Sequence, residues 1–278
     1  MRKGWVAALL GVVLLTACSG GKKSGPFVDE TLSADSAMVE DAYSQSDDEN
    51  APMPMAADEL FDDFFFNYAS NRRQQMERTV FPMKVVDRDS AYYAEKSTWK
   101  TETFFVKDDY YTLFFDSPDQ IELMSDTAVD RVVVERFDME NSVAEQFVFS
   151  RESGRWMLHE KRYQPLMRNP NAQFLQFFSR FVSDSLFQTQ SLAEQIAFTG
   201  PDPDDDFATI EGVITPEFWD AFRPEMPQGK KLYNIVYGNQ NPATLQKTFV
   251  MRGISNGLEM EMTFRLKRGR WVLTKLNT

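Results

Sequence analysis

One twelve-residue stretch occurs twice in this chain, and it constrains the fold more than any other feature. Phe147-Val148-Phe149-Ser150-Arg151-Glu152-Ser153-Gly154-Arg155-Trp156-Met157-Leu158 returns 115 positions later, without a gap, as Met262-Thr263-Phe264-Arg265-Leu266-Lys267-Arg268-Gly269-Arg270-Trp271-Val272-Leu273. Phe149/Phe264, Gly154/Gly269, Arg155/Arg270, Trp156/Trp271 and Leu158/Leu273 coincide. Each stretch reads as two strands around a short turn, Ser153-Gly154 or Arg268-Gly269. The tryptophan and the leucine two residues on share one strand face, which points them into a core. Arg155 and Arg270 remain as repeated charges beside the rings. The chain therefore reads as a tandem duplication, each half closed by a hairpin.

A second repeat agrees with the first. Phe61, Phe64, Phe65 and Tyr68 recur at i, i+3, i+4 and i+7, which puts four rings on one helical stripe. Phe174, Phe177, Phe178 and Phe181 repeat the stripe 113 positions later. Asp58 and Asn171 stand where an N-cap belongs. Strands are expected over 99–106, 130–137, 143–150 and 155–163 in the first half, and over 207–212, 231–237, 245–254, 257–267 and 270–277 in the second. Residues 191–198 read as a short helix. Residues 108–115 fit either a short helix or a strand, and the proline-led segment 215–222 reads as a helix in the corresponding place. In 257–267, Leu258, Met260, Met262, Phe264 and Leu266 alternate with charged or hydroxyl residues, so one sheet face is buried and the other wet.

The N-terminus carries a different message. Arg2 and Lys3 precede an apolar run from Trp5 to Leu15 that is too short to span a bilayer. Leu15-Thr16-Ala17-Cys18 follows and resembles the lipobox of bacterial lipoproteins, which implies cleavage before Cys18 and lipidation of its thiol. Cys18 is the sole cysteine, which excludes an internal disulfide, a thiolate cluster and a cysteine nucleophile in the folded part. Residues 24–57 hold eight acidic residues and no Lys or Arg, with few bulky apolar residues to bury. Such a segment is expected to act as a disordered acidic tether, reaching on the order of 35 Å from the lipid. Two lysines, Lys22 and Lys23, stand close behind Cys18, where surface-exposed lipoproteins resemble one another in an acidic tract. The expectation is an exported chain anchored in the outer membrane and facing the periplasm.

The expected organisation is a signal peptide at 1–17, lipidated Cys18 and the tether at 18–57, and α+β domains at 58–165 and 166–278. Net charge is −12, or −14 once Arg2 and Lys3 leave with the leader, and eight of those charges lie in the tether. The folded part is mildly acidic, which argues against nucleic acid as a partner.

Chemical motifs are sparse. There is no Gly-rich phosphate loop, no G-x-S-x-G and no H-E-x-x-H, and His159 is the single histidine. Asp202, Asp204 and Asp206 imitate the start of a calcium loop. Yet Phe207 and Val213 occupy the positions where that loop needs glycine and a bidentate glutamate. No catalytic, metal or cofactor-binding residue is assigned, no cofactor is expected, and Cys18 is the one assigned site.

Aromatic helices that must bury against half-apolar antiparallel sheets imply an α+β architecture. With the Gly-Arg-Trp-x-Leu hairpins, 58–278 resembles two nuclear-transport-factor-2-like domains, the cone-shaped cystatin-like fold. The resemblance implies helices packed on a bent sheet and offers no catalytic residue to carry over. Two functions follow as expectations. The first is a membrane-tethered, non-catalytic binding or scaffold protein of the cell envelope, holding a protein, peptide or small-molecule ligand. The alternative is an envelope hydrolase or isomerase using carboxylates in one cone, which requires a buried Asp or Glu beside a Tyr or a second carboxylate.

Overall fold

A computed structural model describes residues 55–278 apart from 106–108, 118, 203, 228–230, 239–244 and 255–256. The leader, Cys18 and most of the tether lie outside the described residues.

The first half opens with α1 (Phe61–Ser70), which carries the first aromatic stripe; Phe61, Phe64, Phe65 and Tyr68 are all buried. Next comes α2 (Arg72–Glu77), capped by Asn71, whose side chain accepts the N–H groups of Arg73 and Gln74. There follow β1 (Thr79–Asp87), β2 (Ser90–Ala94), β3 (Tyr110–Phe115), a single turn α3 (Asp119–Glu122), and the meander β4 (Arg131–Asp138), β5 (Val143–Glu152) and β6 (Arg155–Pro165). The second half follows a similar order, with its short helix before rather than after the third strand. It runs α4 (Ala172–Ser183), α5 (Ser185–Gln190) capped by Asp184, β7 (Leu192–Asp202), β8 (Asp205–Ile214), α6 (Trp219–Phe222), β9 (Lys231–Tyr237), β10 (Gln246–Gly253), β11 (Glu259–Lys267) and β12 (Arg270–Asn277).

The strands form two six-stranded sheets, ordered β2-β1-β6-β5-β4-β9 and β8-β7-β12-β11-β10-β3. The expected α+β class is the observed one. Two strands change sides. From the second half, β9 pairs with β4 (Val134 opposite Ile235), while β3 of the first half pairs with β10 (Val250 opposite Leu113). The division expected at 165/166 thus separates halves of the sequence, whereas each sheet takes five strands from one half and its sixth from the other.

The exchange explains why 108–115 was ambiguous. Tyr111 to Phe115 are all buried, with Leu113 and Phe115 in one core and Phe114 in the other. A strand buried on both faces has no alternation to read. Polar bonds fix the crossing. The Thr112 hydroxyl donates to Tyr233 O and accepts from Tyr233 N (3.1 Å), and Phe114 N donates to Asn234 Oδ1 (2.9 Å). Asn234 also donates to Glu135 (2.9 Å), which accepts from Gln146 (2.8 Å) and from Asn169 (2.7 Å) in the segment joining the halves. Glu135 is fully buried. Burial pushes its carboxyl above the ordinary value, and the three amide donors and Lys247 pull against that.

The twin hairpins close the cores as expected. Trp156 meets Phe61 edge-on at 5.0 Å, and Trp271 meets Phe174 in the same way at 5.1 Å. Both turns put two successive residues at positive φ: Ser153 (51°) with Gly154 (82°), and Arg268 (50°) with Gly269 (78°). That is the type I′ geometry whose twist matches the flanking strands.

Other expectations are corrected. Asp58 does not cap α1; Leu60 holds the cap position without a side-chain bond, and Asp58 is drawn to Arg78 instead. Asn171 makes no cap bond either, because its Oδ1 accepts from the buried Lys247 ammonium (2.6 Å). Residues 99–105 are not a strand: Phe104 and Phe105 bury in the first core without a ladder partner, and 106 lies outside the described residues. Only 185–190 is helical where 191–198 was expected, and Leu192 begins β7. Segment 215–222 is helical, but its counterpart is not 108–115, since the strand equivalent to β3 is β9.

Candidate functional site

The core-facing side of the first sheet changes character along its strands. Near the hairpin it is apolar, through Val132, Val134, Phe147, Phe149, Trp156 and Leu158. Further on it carries Arg136, Glu145 and Lys161. Residues 99–105 lie against this polar end. The backbone of Glu102 is held by Gln75 in both directions, Glu102 N to Oε1 (2.8 Å) and Nε2 to Glu102 O (3.1 Å). Its carboxylate bonds to Arg136 (3.0 Å) and to Lys161, while Glu145 bonds to Arg136 (2.6 Å) and Lys161 (3.1 Å). Both cations also lie over the Phe147 ring. Burial works against the Arg136 and Lys161 charges, and the two carboxylates overcome it, so both pKa values rise; burial likewise opposes the Glu145 charge, and Arg136 and Lys161 hold its carboxyl below the usual range. Two acids and two bases that satisfy one another form a clamp on the 99–105 segment.

Positions 115 further on hold Met251, Met260 and Leu276, all buried. In that half Gln188 takes the role of Gln75, accepting from the Trp219 indole N–H (2.9 Å). Both cones are therefore closed by their own side chains, through Phe104 and Phe105 in the first and Trp219 with Phe178 and Phe181 in the second.

An open space lies at the seam between the halves. A groove of about 410 Å³ is lined by Phe66 of α1, Tyr111 of β3, and Arg252, Ile254, Leu258 and Glu259 around the β10–β11 connection. Next to Tyr111 and Arg252, both of which feel its charge, lies Asp62. The Tyr237 hydroxyl donates to Asp62 Oδ1. Burial raises the Asp62 carboxyl, and the Tyr237 bond and the Arg252 charge offset part of the rise. Burial and the Asp62 charge lift the Tyr237 phenol well above its ordinary range. Arg252 pairs with the exposed Glu259 at 3.1 Å. Such a place presents an aromatic wall and an ion pair on the rim, with the Asp62 carboxyl, raised by burial, next to it.

The residues singled out earlier lie elsewhere. His159 sits at the β6 bulge, its Nε2 3.4 Å from Glu152 in the first hairpin. Asp202 and Asp204 form the β7–β8 turn, where Asp204 N donates to Asp202 Oδ1 (2.9 Å). Among the described residues no three His, Cys, Asp or Glu side chains are placed to hold a metal ion. Cys18 lies outside the described residues. Sequence reasoning missed Asp62 and Tyr237 because 175 residues separate them. Only the exchange of β9 into the first sheet brings Tyr237 to α1.

Residues 40–278 match the family described as a domain of unknown function, DUF4348. The chain belongs to this family. It is also similar to a solved crystal structure, that of an NTF2-like protein (BF2862) from Bacteroides fragilis NCTC 9343, with 36% identity and a TM-score of 0.74. The match covers 81% of this chain and 98% of that one. No curated protein matched the chain.

The raised Asp62 carboxyl gives this DUF4348 chain a testable pH signature. A carboxyl whose pKa rises on folding costs stability as pH climbs from the ordinary 3.8 through the folded value, and the cost is constant above it. Asp62→Asn keeps an acceptor for Tyr237 and removes the ionisation. Its stability relative to the parent is expected to be lowest below about pH 4 and to grow to a plateau towards neutrality. Urea midpoints across a pH series check this, and a difference independent of pH would contradict the assignment.

Proposed function

We propose that this DUF4348 chain is a lipid-tethered, non-catalytic binding protein of the bacterial cell envelope that receives a segment of a protein partner in the seam groove. The observation that carries the reading is the contrast between two cones filled by their own aromatic and methionine side chains and an open groove at the seam with an aromatic wall and a charged rim. A mixed lining of this kind suits recognition, with apolar area for affinity and a few polar groups for orientation. Tethering is supported by the Arg2-Lys3 start, the apolar run and Leu15-Thr16-Ala17-Cys18. Among the described residues no helix is long and apolar enough to cross a membrane.

Each half of the proposal has its own test. Radiolabelled palmitate is expected to enter the parent chain and not Cys18→Ala; label retained by the variant sinks the anchor. A photocrosslinking residue at Leu258, on the groove rim, is expected to give a discrete adduct in cells, whereas one at the exposed Leu186 is not. Equal patterns from both positions, or none from Leu258, would remove the groove as a binding site.

One observation favours a second reading, an envelope hydrolase or isomerase. Asp62, raised by burial and bonded to Tyr237 beside the groove, is a carboxyl tuned towards general acid–base work. On that reading Asp62→Asn abolishes turnover while leaving crosslinking from Leu258 intact.

A further inference from the structure

The β11–β12 hairpin differs from its twin in charge. Its outer surface carries Arg265, Lys267, Arg270 and Lys275, with Arg268 in the turn, and all five are exposed. None of them forms an ion pair or hydrogen bond through its side chain among the described residues. The register sets Lys267 directly opposite Arg270, a like-charge pair that costs the hairpin stability. At the corresponding positions the first hairpin and its strands have Ser150, Glu152, Ser153, Arg155 and Glu160. One cation and two acids therefore build the same turn, so the fold does not require the five cations. Between this hairpin and Ala193, Glu194 and Gln195 of β7 lies a shallow concavity of about 570 Å³, with Lys267, Arg268 and Arg270 on its other side.

We infer that this hairpin is a docking surface for the anionic headgroups of a lipid bilayer. The inference rests on the envelope reading for the nearness of a membrane, and it extends that reading by saying which face of the body meets the lipid. A chain of net charge −14 once its leader is removed is repelled by an anionic surface as a whole, so contact has to come through a local excess of positive charge. Five exposed cations on one hairpin, without an ion-pair partner among the described residues, supply it. Cations with no carboxylate at ion-pair distance among the described residues keep their charge available to phosphate, and each strengthens attachment to an anionic leaflet about fivefold. A tether reaching on the order of 35 Å from a lipidated Cys18 would hold the body where this weak contact is repeatedly sampled.

The test uses the mature chain carrying Cys18→Ala, so that no attached lipid contributes. It is expected to co-sediment with vesicles of phosphatidylglycerol and phosphatidylcholine, not with phosphatidylcholine alone, and to be released by salt. Lys267→Glu, Arg268→Glu and Arg270→Glu together are expected to weaken binding about a hundredfold or more. The melting temperature should hardly move, because all three side chains are exposed and the first hairpin tolerates Glu152 and Ser153 there. Exchanging Arg72, Arg73 and Arg131 for glutamate is the charge-matched control and should leave specific docking in place. Binding indifferent to lipid charge, or equal losses from both triple variants, overturns the inference. So does binding seen only after deletion of residues 24–57, which would make the chain's own acidic segment the occupant. Failure here with palmitate still entering Cys18 leaves the tether standing, and failure of labelling with vesicle binding intact does the reverse.

Discussion

Asp58→Ala is expected to destabilise the folded body by about 3–5 kcal/mol, the usual cost of leaving one partner of a buried ion pair alone. Asp58 and Arg78 are both buried, and the guanidinium meets both carboxylate oxygens, at 2.9 and 2.8 Å. Asp58 Oδ1 also accepts the Trp156 backbone N–H (3.0 Å), and Arg78 donates to Trp156 O (3.3 Å). The pair thus bolts the entry of the chain onto the strand that follows the first hairpin turn. Arg151, in the same hairpin, donates to Glu59 O. Removing the carboxylate strands a charge, a fork of donors and a backbone N–H in a dry place. Asp58→Asn keeps an acceptor for Trp156 and should cost clearly less. Urea unfolding with unchanged slope checks both. A loss below about 1 kcal/mol for Asp58→Ala would mean that water reaches the pair. The second half, with Asn171 and Ser191 at the matching positions, shows that the architecture stands without this bond.

The clamp on residues 99–105 is expected to respond in opposite directions to partial and complete removal. Arg136→Ala leaves Glu102 and Glu145 sharing Lys161 alone, with side chains only 5–16% exposed, and should cost about 3–5 kcal/mol. Replacing the whole set, Glu102→Met, Arg136→Met, Glu145→Met and Lys161→Leu, imitates Met251, Met260 and Leu276 of the other half. It is expected to be neutral or to stabilise by about 1–4 kcal/mol, since packed apolar groups avoid the desolvation of four charges. The two proteins should also differ in acid. The Glu145 carboxyl is held below its ordinary 4.5, so its contribution is complete above that pH and is lost as pH falls through the folded value. The fully apolar variant should lack that part of the acid loss. Chemical unfolding at neutral and acidic pH measures both effects, and a four-site variant weaker than Arg136→Ala would show the charges to be net stabilising.

The contrast between the halves shows what was hidden from the sequence. The twelve-residue repeat and the two aromatic stripes were legible because they are periodic and local: turn chemistry, strand alternation and helical spacing each act within a dozen residues. Asp58 and Asn171 were misread for the same reason. Both satisfy a local capping rule, and both are claimed by a distant cation, Arg78 or Lys247, that a local rule cannot see. Tyr110–Phe115 lost its pattern because both its faces are buried, a condition that exists only once two cores have formed around it.

The sequence by itself determined the α+β class, the two aromatic helix stripes and the closing hairpins with their core tryptophans, and it set the expectation of a lipidated Cys18. Tertiary structure alone decided that β3 and β9 change sheets, that both cones fill, and that Asp62 meets Tyr237 beside an open groove. The physical reason is distance along the chain. Hydrophobic period and turn preference are written in neighbouring residues, whereas a strand exchange and a site shared by residues 62 and 237 depend on which of several equally apolar surfaces meet when the two halves fold as one.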